Sequence, residues 1–195
     1  DFNDDGYLDV VYIGDVNGRM WRLDLTADNA STPKKGELVA GAIQGWQPFM
    51  LYDASTATTQ PNQPIYLEPS LIYINGGPRP TLGVAFGTGD RANLLKVPNP
   101  SVNRFFYVVD NGSSTTFHEA DLRNITPSGG VTPVGTPGPG PLGNGFYLDF
   151  ASQNEKTVSS VFSTQGFLSL LTFTPDSNNP CATEGRSYRY RFFFL

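Results

Sequence analysis

Short apolar runs separated by turn-forming residues recur along the chain, and this pattern predicts β-strands. The runs at 8–14 and 19–25 flank Asp15-Val16-Asn17-Gly18, a hairpin signal because Asn-Gly favours tight turns between strands. The runs at 70–74 and 81–87 flank a second turn rich in Gly and Pro. Windows with helical spacing are short and broken by Gly or Pro, so the sequence predicts an all-β protein. Further strands are predicted at 103–110, 146–150, 157–163, 167–173 and 186–194.

One order of features repeats at a spacing of roughly 80 residues. An apolar run, a Gly, an acidic turn and an aromatic strand follow one another in 10–25, 83–111 and 168–193. Propeller blades produce such repeats, because each small antiparallel sheet needs neighbours to cover its faces. The pattern favours a β-propeller with about three blades here, and a β-sandwich is the alternative. Because closed rings have roughly four to eight blades, we expect the chain to be part of a longer protein.

The segment from Thr126 to Gly145 is rich in Gly and Pro. It offers little apolar area to bury, and its prolines have no N–H to donate to a sheet. Because similar strand patterns lie on both sides, we interpret it as a surface insertion. Residues 1–195 are therefore expected to belong to a single domain.

The chain opens with DFNDDGYLD, in which side-chain oxygens occupy loop positions 1, 3, 5 and 9, and Gly6 occupies the sixth. This is the spacing of an EF-hand-like calcium loop. Alternate side chains of a tightly curled loop point to one centre, and Gly6 permits the turn that brings the next carbonyl there. Calcium takes about six to eight hard oxygen ligands, whereas magnesium seldom uses an all-protein shell. The predicted ligands are Asp1, Asn3, Asp5, Tyr7 through its carbonyl, and Asp9.

The loop departs from a true EF-hand at its end. Position 12 is Tyr12 rather than a bidentate Glu, and a β-run follows instead of a helix. We therefore expect a calcium loop at the start of a strand and not a helix–loop–helix sensor. Asp4 is out of phase with the ligands and is expected to face solvent. The alternative is a solvated acidic turn that binds no metal.

Charge and reactive residues argue against several functional classes. Lys and Arg number 13 against 18 Asp and Glu, and the basic residues are scattered, so we expect no nucleic-acid partner. Cys181 is the single cysteine and can form no intrachain disulfide. His118 is the single histidine, and no carboxylate pair has a catalytic arrangement. The sequence therefore predicts a protein that is not an enzyme.

The sequence DFNDDGYLDVVYIGDVNGRMWRLDL, residues 1–25, resembles the calcium loop and following blade of PilY-type proteins, which are type IV pilus tip and biogenesis factors. The resemblance continues in order through AFGTGDRAN, NRFFYVVDN, GFYLDF, LLTFTP and NPCATEGRSYRYRF, and so covers most of the chain.

This resemblance implies a C-terminal modified β-propeller and a function at the pilus. It assigns the calcium ligand roles to the same five residues of the opening loop. It implies that calcium acts in pilus biogenesis and in control of extension and retraction, and that the protein acts in surface adhesion. The implied partners are the remainder of a longer protein, minor pilins or the pilus tip complex, and a host or abiotic surface. The implied location is extracellular, at the pilus tip or outer membrane.

Three other interpretations compete with this one. An integrin-like calcium propeller repeats the acidic loop in several blades, whereas here it occurs once. A quinoprotein dehydrogenase usually has adjacent cysteines, whereas this chain has Cys181 alone. In a purely structural propeller, bound calcium would stabilise the fold and would not regulate the binding of a partner.

Overall fold

The computed structural model describes residues 8–25, 38–39, 42–43, 48–54, 63–75, 80–96, 102–127, 143–176 and 184–193. Within these ranges the protein is built from β-strands and two short 3-10 helices, η1 (Arg91–Asn93) and η2 (Glu119–Asp121). The strands are β1 (Val10–Gly14), β2 (Arg19–Asp24), β3 (Leu38–Val39), β4 (Ala42–Ile43), β5 (Pro48–Asp53), β6 (Ser70–Asn75), β7 (Thr81–Gly87), β8 (Arg104–Asp110), β9 (Arg123–Asn124), β10 (Gly145–Asp149), β11 (Lys156–Thr157), β12 (Phe162–Thr164), β13 (Phe167–Pro175) and β14 (Gly185–Phe193).

Three sheets follow one another along the chain. The first sheet has the order β1-β2-β5, and the second has the order β6-β7-β8-β10-β9. The third sheet is formed by β11, β12 and β14 around β13. Pairing is antiparallel throughout these sheets except between β9 and β10. β3 and β4 form a separate two-stranded pair.

The first predicted hairpin is confirmed. β1 pairs with β2 in a register that runs from Val10 opposite Asp24 to Gly14 opposite Met20. Gly18 closes the turn with a φ of +82°, a conformation that glycine adopts without steric cost. A Cβ added at Gly18 would lie 2.7 Å from the carbonyl oxygen of Gln63, so the turn also needs the space that glycine leaves.

The predicted strand at 157–163 is wrong in its middle. The structure divides it into β11 and β12, and both pair with β13. Between them, the Ser159 hydroxyl accepts a hydrogen bond from the backbone N–H of Leu171 at 2.8 Å. A Ser side chain has taken the place of a ladder carbonyl, which is the usual way that Ser competes with sheet pairing.

The second sheet is the middle layer of the core, because both of its faces are covered. Val84, Phe86, Phe106 and Val108 belong to a cluster with Met20 and other residues of the first sheet and its loops. The alternate residues of the same strands belong to a second cluster with the third sheet, which contains Ala85, Phe105, Tyr107, Phe146, Leu148, Leu168 and Leu170. Burial on both faces explains why β7 and β8 read as continuous apolar runs rather than as alternating patterns.

Aromatic rings fill both layers of this core. On the side of the first sheet, Phe106 packs against both Tyr52 and Phe86, with ring centroids 4.7 Å and 5.3 Å away. On the side of the third sheet, Phe105 stacks on Phe192 of β14 with a centroid distance of 4.5 Å. Burying each such ring stabilises the fold by about 1.5–3 kcal/mol.

The all-β class is therefore confirmed, with three consecutive sheets packed against one another. The closed ring of a propeller and the single-domain organisation stay predictions. Most of the Gly- and Pro-rich insertion, residues 128–142, lies outside the described residues. In the described ranges, no helix has the length and apolar character needed to cross a bilayer.

Candidate metal centre and the polar contacts around it

The predicted calcium loop lies at the entrance to β1, and the structure describes its last ligand alone. Asp1, Asn3, Asp5 and Tyr7 lie outside the described residues. Asp9 is described and is 3% exposed. Its backbone carbonyl accepts a hydrogen bond from the N–H of Leu25 at 2.7 Å, which closes the open end of the β1–β2 hairpin.

Burial of Asp9 is compatible with the role of a metal ligand. A carboxylate removed from water requires hydrogen-bond donors or a cation to compensate for its lost hydration. The predicted donor set consists of carboxylate, carboxamide and carbonyl oxygens, which is the chemistry that calcium prefers. Within the described ranges, no group of three or more His, Cys, Asp or Glu side chains has metal-binding geometry. The structure therefore neither assembles nor contradicts the predicted ligand set, which stays a prediction.

The turn that follows β1 is organised by Asp15. Its Oδ1 accepts hydrogen bonds from the backbone N–H groups of Asn17 at 2.8 Å and Arg19 at 3.0 Å. Its Oδ2 accepts a hydrogen bond from the indole N–H of Trp21 at 3.0 Å. Asp15 thus fixes the distal end of the hairpin and is used as a turn residue, not as part of the metal loop.

A buried ion pair joins this hairpin to the second sheet. Asp110, at the end of β8, accepts hydrogen bonds from Arg22 Nη1 at 2.5 Å and from the Tyr12 hydroxyl at 2.6 Å. Arg22 Nη2 also donates to the carbonyl of Ser113 at 2.9 Å. The backbone N–H of Gly112 donates to the same carboxylate at 2.8 Å. We call Tyr12, Arg22 and Asp110 the hairpin clasp, because they tie β1 and β2 to β8.

A second buried arginine lies between the first and second sheets. Arg104 forms ion pairs with Glu119, at 2.7 Å, and with Asp149, and its guanidinium lies 4.5 Å from the ring centroid of Tyr147. Burial alone lowers the pKa of Arg104, but hydrogen bonds to Glu119 and Asp149 outweigh it and raise the pKa. The side chain is therefore permanently cationic and paired with two carboxylates, which suits a structural role.

Two further buried polar groups lie beside the third sheet. Glu155 is fully buried and accepts hydrogen bonds from the Thr172 hydroxyl and, at 3.4 Å, from the N–H of Ser152. Lys156 donates to the carbonyls of Leu94 at 2.9 Å and Lys96 at 3.0 Å. Burial lowers the pKa of Lys156. Both side chains hold loops against the sheet.

His118 has a local structural role in this fold. It is half-buried and forms the N-cap of η2, where its backbone N–H donates to Asp121 Oδ2 at 2.8 Å. Its Nδ1 lies 3.4 Å from the carbonyl oxygen of Asp53. That the protein is not an enzyme stays a prediction.

Sequence reasoning missed the hairpin clasp and the Arg104 cluster. Asp110 and Asp149 stand at strand ends, where Asp commonly forms turn hydrogen bonds, and Asp110 does so with Gly112. Their arginine partners lie 88 and 45 residues away along the chain. The one local signal was an Arg next to large apolar residues, Arg22 between Trp21 and Leu23 and Arg104 before Phe105.

Comparison with known proteins identifies the fold. No family model and no curated protein matches the chain. Among solved structures, the crystal structure of the Pseudomonas aeruginosa PilY1 C-terminal domain matches with a TM-score of 0.66 and 20% sequence identity. The match covers 99% of this chain and 45% of that chain, so this chain spans less than half the length of the solved chain that it matches. The chain has the fold of that part of the domain.

Proposed function

We propose that this chain is the calcium-binding β-propeller region of a type IV pilus tip-associated protein. In this role it acts in pilus biogenesis, in control of extension and retraction, and in surface adhesion, outside the cell at the pilus tip or outer membrane. The partners are the remainder of a longer protein, minor pilins or the tip complex, and the surface to which the pilus attaches.

One observation supports this proposal most strongly. A nine-residue sequence with calcium-loop spacing leads directly into β1 of a chain that has the fold of the PilY1 C-terminal domain. Proteins that share a fold can have many different functions, and acidic turns are common in proteins. The combination of this loop with this fold, at the start of the first sheet, favours the pilus function.

The chain's own residues suggest how calcium acts on the fold. Calcium supplies a divalent charge that offsets the repulsion among Asp1, Asp5 and Asp9 when it is bound. Asp9 is held in place by the closed end of the β1–β2 hairpin, through the bond between its carbonyl and Leu25. The hairpin clasp then connects the same hairpin to β8. Calcium binding is thereby expected to stabilise the packing of the first sheet on the second.

Calorimetric titration with calcium tests the metal site. We expect the wild-type chain to bind one calcium ion and the Asp9→Ala variant to lose affinity by roughly a hundredfold or more. The reason is that this substitution removes a charged ligand from a shell of about six to eight oxygens. Asp4→Ala is the matched control, because it removes the same charge from the same loop at an out-of-phase position, and its affinity should change by less than about fivefold through weaker long-range attraction.

Two results would contradict the metal site. One is an Asp9→Ala variant that binds calcium as tightly as the wild type, and the other is an equal loss in the Asp4→Ala variant. The pilus role is tested separately in the source organism. Introducing Asp9→Ala into the full protein should alter the extension and retraction of labelled pili, whereas unchanged pilus dynamics would count against that role.

A further inference from the structure

The segment that follows β8 leaves the second sheet and crosses to the first. At its start, Asp110 accepts hydrogen bonds from Tyr12 of β1 at 2.6 Å and from Arg22 of β2 at 2.5 Å. Further along, the carbonyl of Ser113 accepts a hydrogen bond from the same Arg22 at 2.9 Å. We call residues 110–118 the crossing segment. Its first half is therefore bound to both strands of the β1–β2 hairpin.

The second half of the crossing segment pairs with β5, the remaining strand of the first sheet. Phe117 donates its backbone N–H to the carbonyl of Leu51 at 2.8 Å, and its own carbonyl accepts the N–H of Asp53 at 2.9 Å. This pairing is parallel. The hydroxyl of Thr116 donates to the carbonyl of Met50 at 2.8 Å. A stretch of chain that follows the second sheet thus extends the edge of the first.

The side chain of Phe117 anchors this pairing in the core. It is 6% exposed and belongs to the same apolar cluster as Met20 of the hairpin and Leu51 of β5. The crossing segment therefore contacts all three strands of the first sheet, through polar groups along its length and through one buried ring. All of these contacts are made between described residues of this chain.

The crossing segment also lies close to the end of the hairpin that contains Asp9. Tyr12 and Arg22 face each other across the hairpin, three residues from Asp9 and Leu25 respectively. At about 3.4 Å per residue, this places the hairpin clasp about 10 Å from the open end. The Leu25 N–H donates to the Asp9 carbonyl, so hydrogen exchange of this amide reports whether that end is closed.

We propose that the crossing segment is a latch, which opens and closes as one unit with the β1–β2 hairpin and so keeps Asp9 in position. Opening of the hairpin alone would separate Arg22 from Asp110, and a buried ion pair that loses one partner is strongly destabilised. It would also remove Met20 from the cluster in which Phe117 is packed. Both effects favour release of the segment together with the hairpin.

Residue-resolved amide hydrogen exchange of the calcium-free 195-residue chain tests the latch. Thr116→Val removes a hydrogen bond to β5 and leaves the residues of the hairpin clasp unchanged. We expect the Phe117 amide to exchange roughly fivefold faster, which is the usual effect of one lost hydrogen bond. The Leu25 amide should accelerate by the same factor, because the two amides become exposed in the same opening event.

Thr126→Val is the matched control. Thr126 is also half-buried, and its hydroxyl accepts a hydrogen bond from the Asp149 N–H at 2.9 Å, away from the first sheet. This variant should leave the exchange of Leu25 and Phe117 unchanged within about twofold.

Three results of this comparison would overturn the proposal. Faster exchange of Phe117 alone in Thr116→Val would show that the segment and the hairpin open separately. Equal acceleration of Leu25 in both variants would show that this amide exchanges through unfolding of the whole chain. A Thr116→Val variant that changes neither amide would show that the pairing with β5 does not hold the segment.

A second arm of the experiment adds calcium and rests on the proposed function. With calcium at about a hundred times its dissociation constant, a latch that positions Asp9 should slow exchange of Leu25 and Phe117 by the same factor, roughly a hundredfold. Slower exchange of Leu25 without Phe117 would overturn the latch. Unchanged exchange of both amides would count against calcium binding, while the calcium-free comparison would still decide the latch.

Discussion

Replacement of Asp110 by Ala is expected to lower the free energy of unfolding by about 3–5 kcal/mol, because it breaks a buried ion pair. The carboxylate is buried and accepts hydrogen bonds from Arg22, Tyr12 and Gly112. Its loss leaves the Arg22 guanidinium buried without its counter-ion, which costs more than the pair itself contributes. Chemical denaturation with a constant m-value measures the change.

A substitution that removes a single hydrogen bond of the hairpin clasp measures the contribution of that bond to stability. Tyr12→Phe removes one hydrogen bond to a charged group and should cost about 1.5–3 kcal/mol. Glu184→Ala, at an exposed position, serves as the control and should change stability by less than about 0.5 kcal/mol. If Asp110→Ala destabilises the protein no more than Glu184→Ala does, the clasp is not a stabilising contact between the first two sheets.

Alkaline pH is expected to destabilise the fold strongly between about pH 10 and pH 12. Burial raises the pKa of Tyr107 to about 12 from its ordinary value of 10.0, and burial also raises the pKa values of Tyr52 and Tyr190. Because the folded-state pKa lies above the unfolded value, the contribution of each neutral tyrosine to the free energy of unfolding is complete below pH 10. That contribution is lost as the pH rises. For Tyr107 the loss has an upper bound of about 2.7 kcal/mol at pH 12, since one pKa unit corresponds to about 1.36 kcal/mol.

The Tyr107→Phe variant isolates this effect. It keeps the ring that stacks on Phe146, with a centroid distance of 5.1 Å, but has no group to ionise. Its free energy of unfolding should therefore decline less steeply than that of the wild type between pH 10 and pH 12. Identical pH profiles for the two proteins would show that the Tyr107 hydroxyl titrates normally and is not desolvated.

Local signals in the sequence were sufficient for most of the strands. Asn17-Gly18 predicted the first hairpin, and the continuous apolar runs of β7 and β8 predicted strands that proved to be buried on both faces. The prediction failed where a side chain replaced the backbone, as Ser159 does between β11 and β12. Such substitution depends on tertiary position, which no local pattern encodes.

The polar contacts between sheets could not be predicted from the sequence, for a related reason. Arg22 and Asp110 are 88 residues apart, and either could have been an ordinary surface charge. Their pairing depends on how the first sheet packs on the second, which in turn depends on the aromatic cluster around Phe106. The calcium loop differs, because all its predicted ligands lie within nine residues and their spacing alone carries the prediction.

A crystal structure of the calcium-loaded chain, with anomalous scattering data, tests the central claim most directly. The claim is that the loop before β1 holds calcium. We expect an anomalous peak enclosed by oxygens of Asp1, Asn3, Asp5 and Asp9 and the carbonyl of Tyr7, at metal–oxygen distances of about 2.3–2.6 Å. Side chains that extend into solvent, with no anomalous peak in saturating calcium, would contradict it.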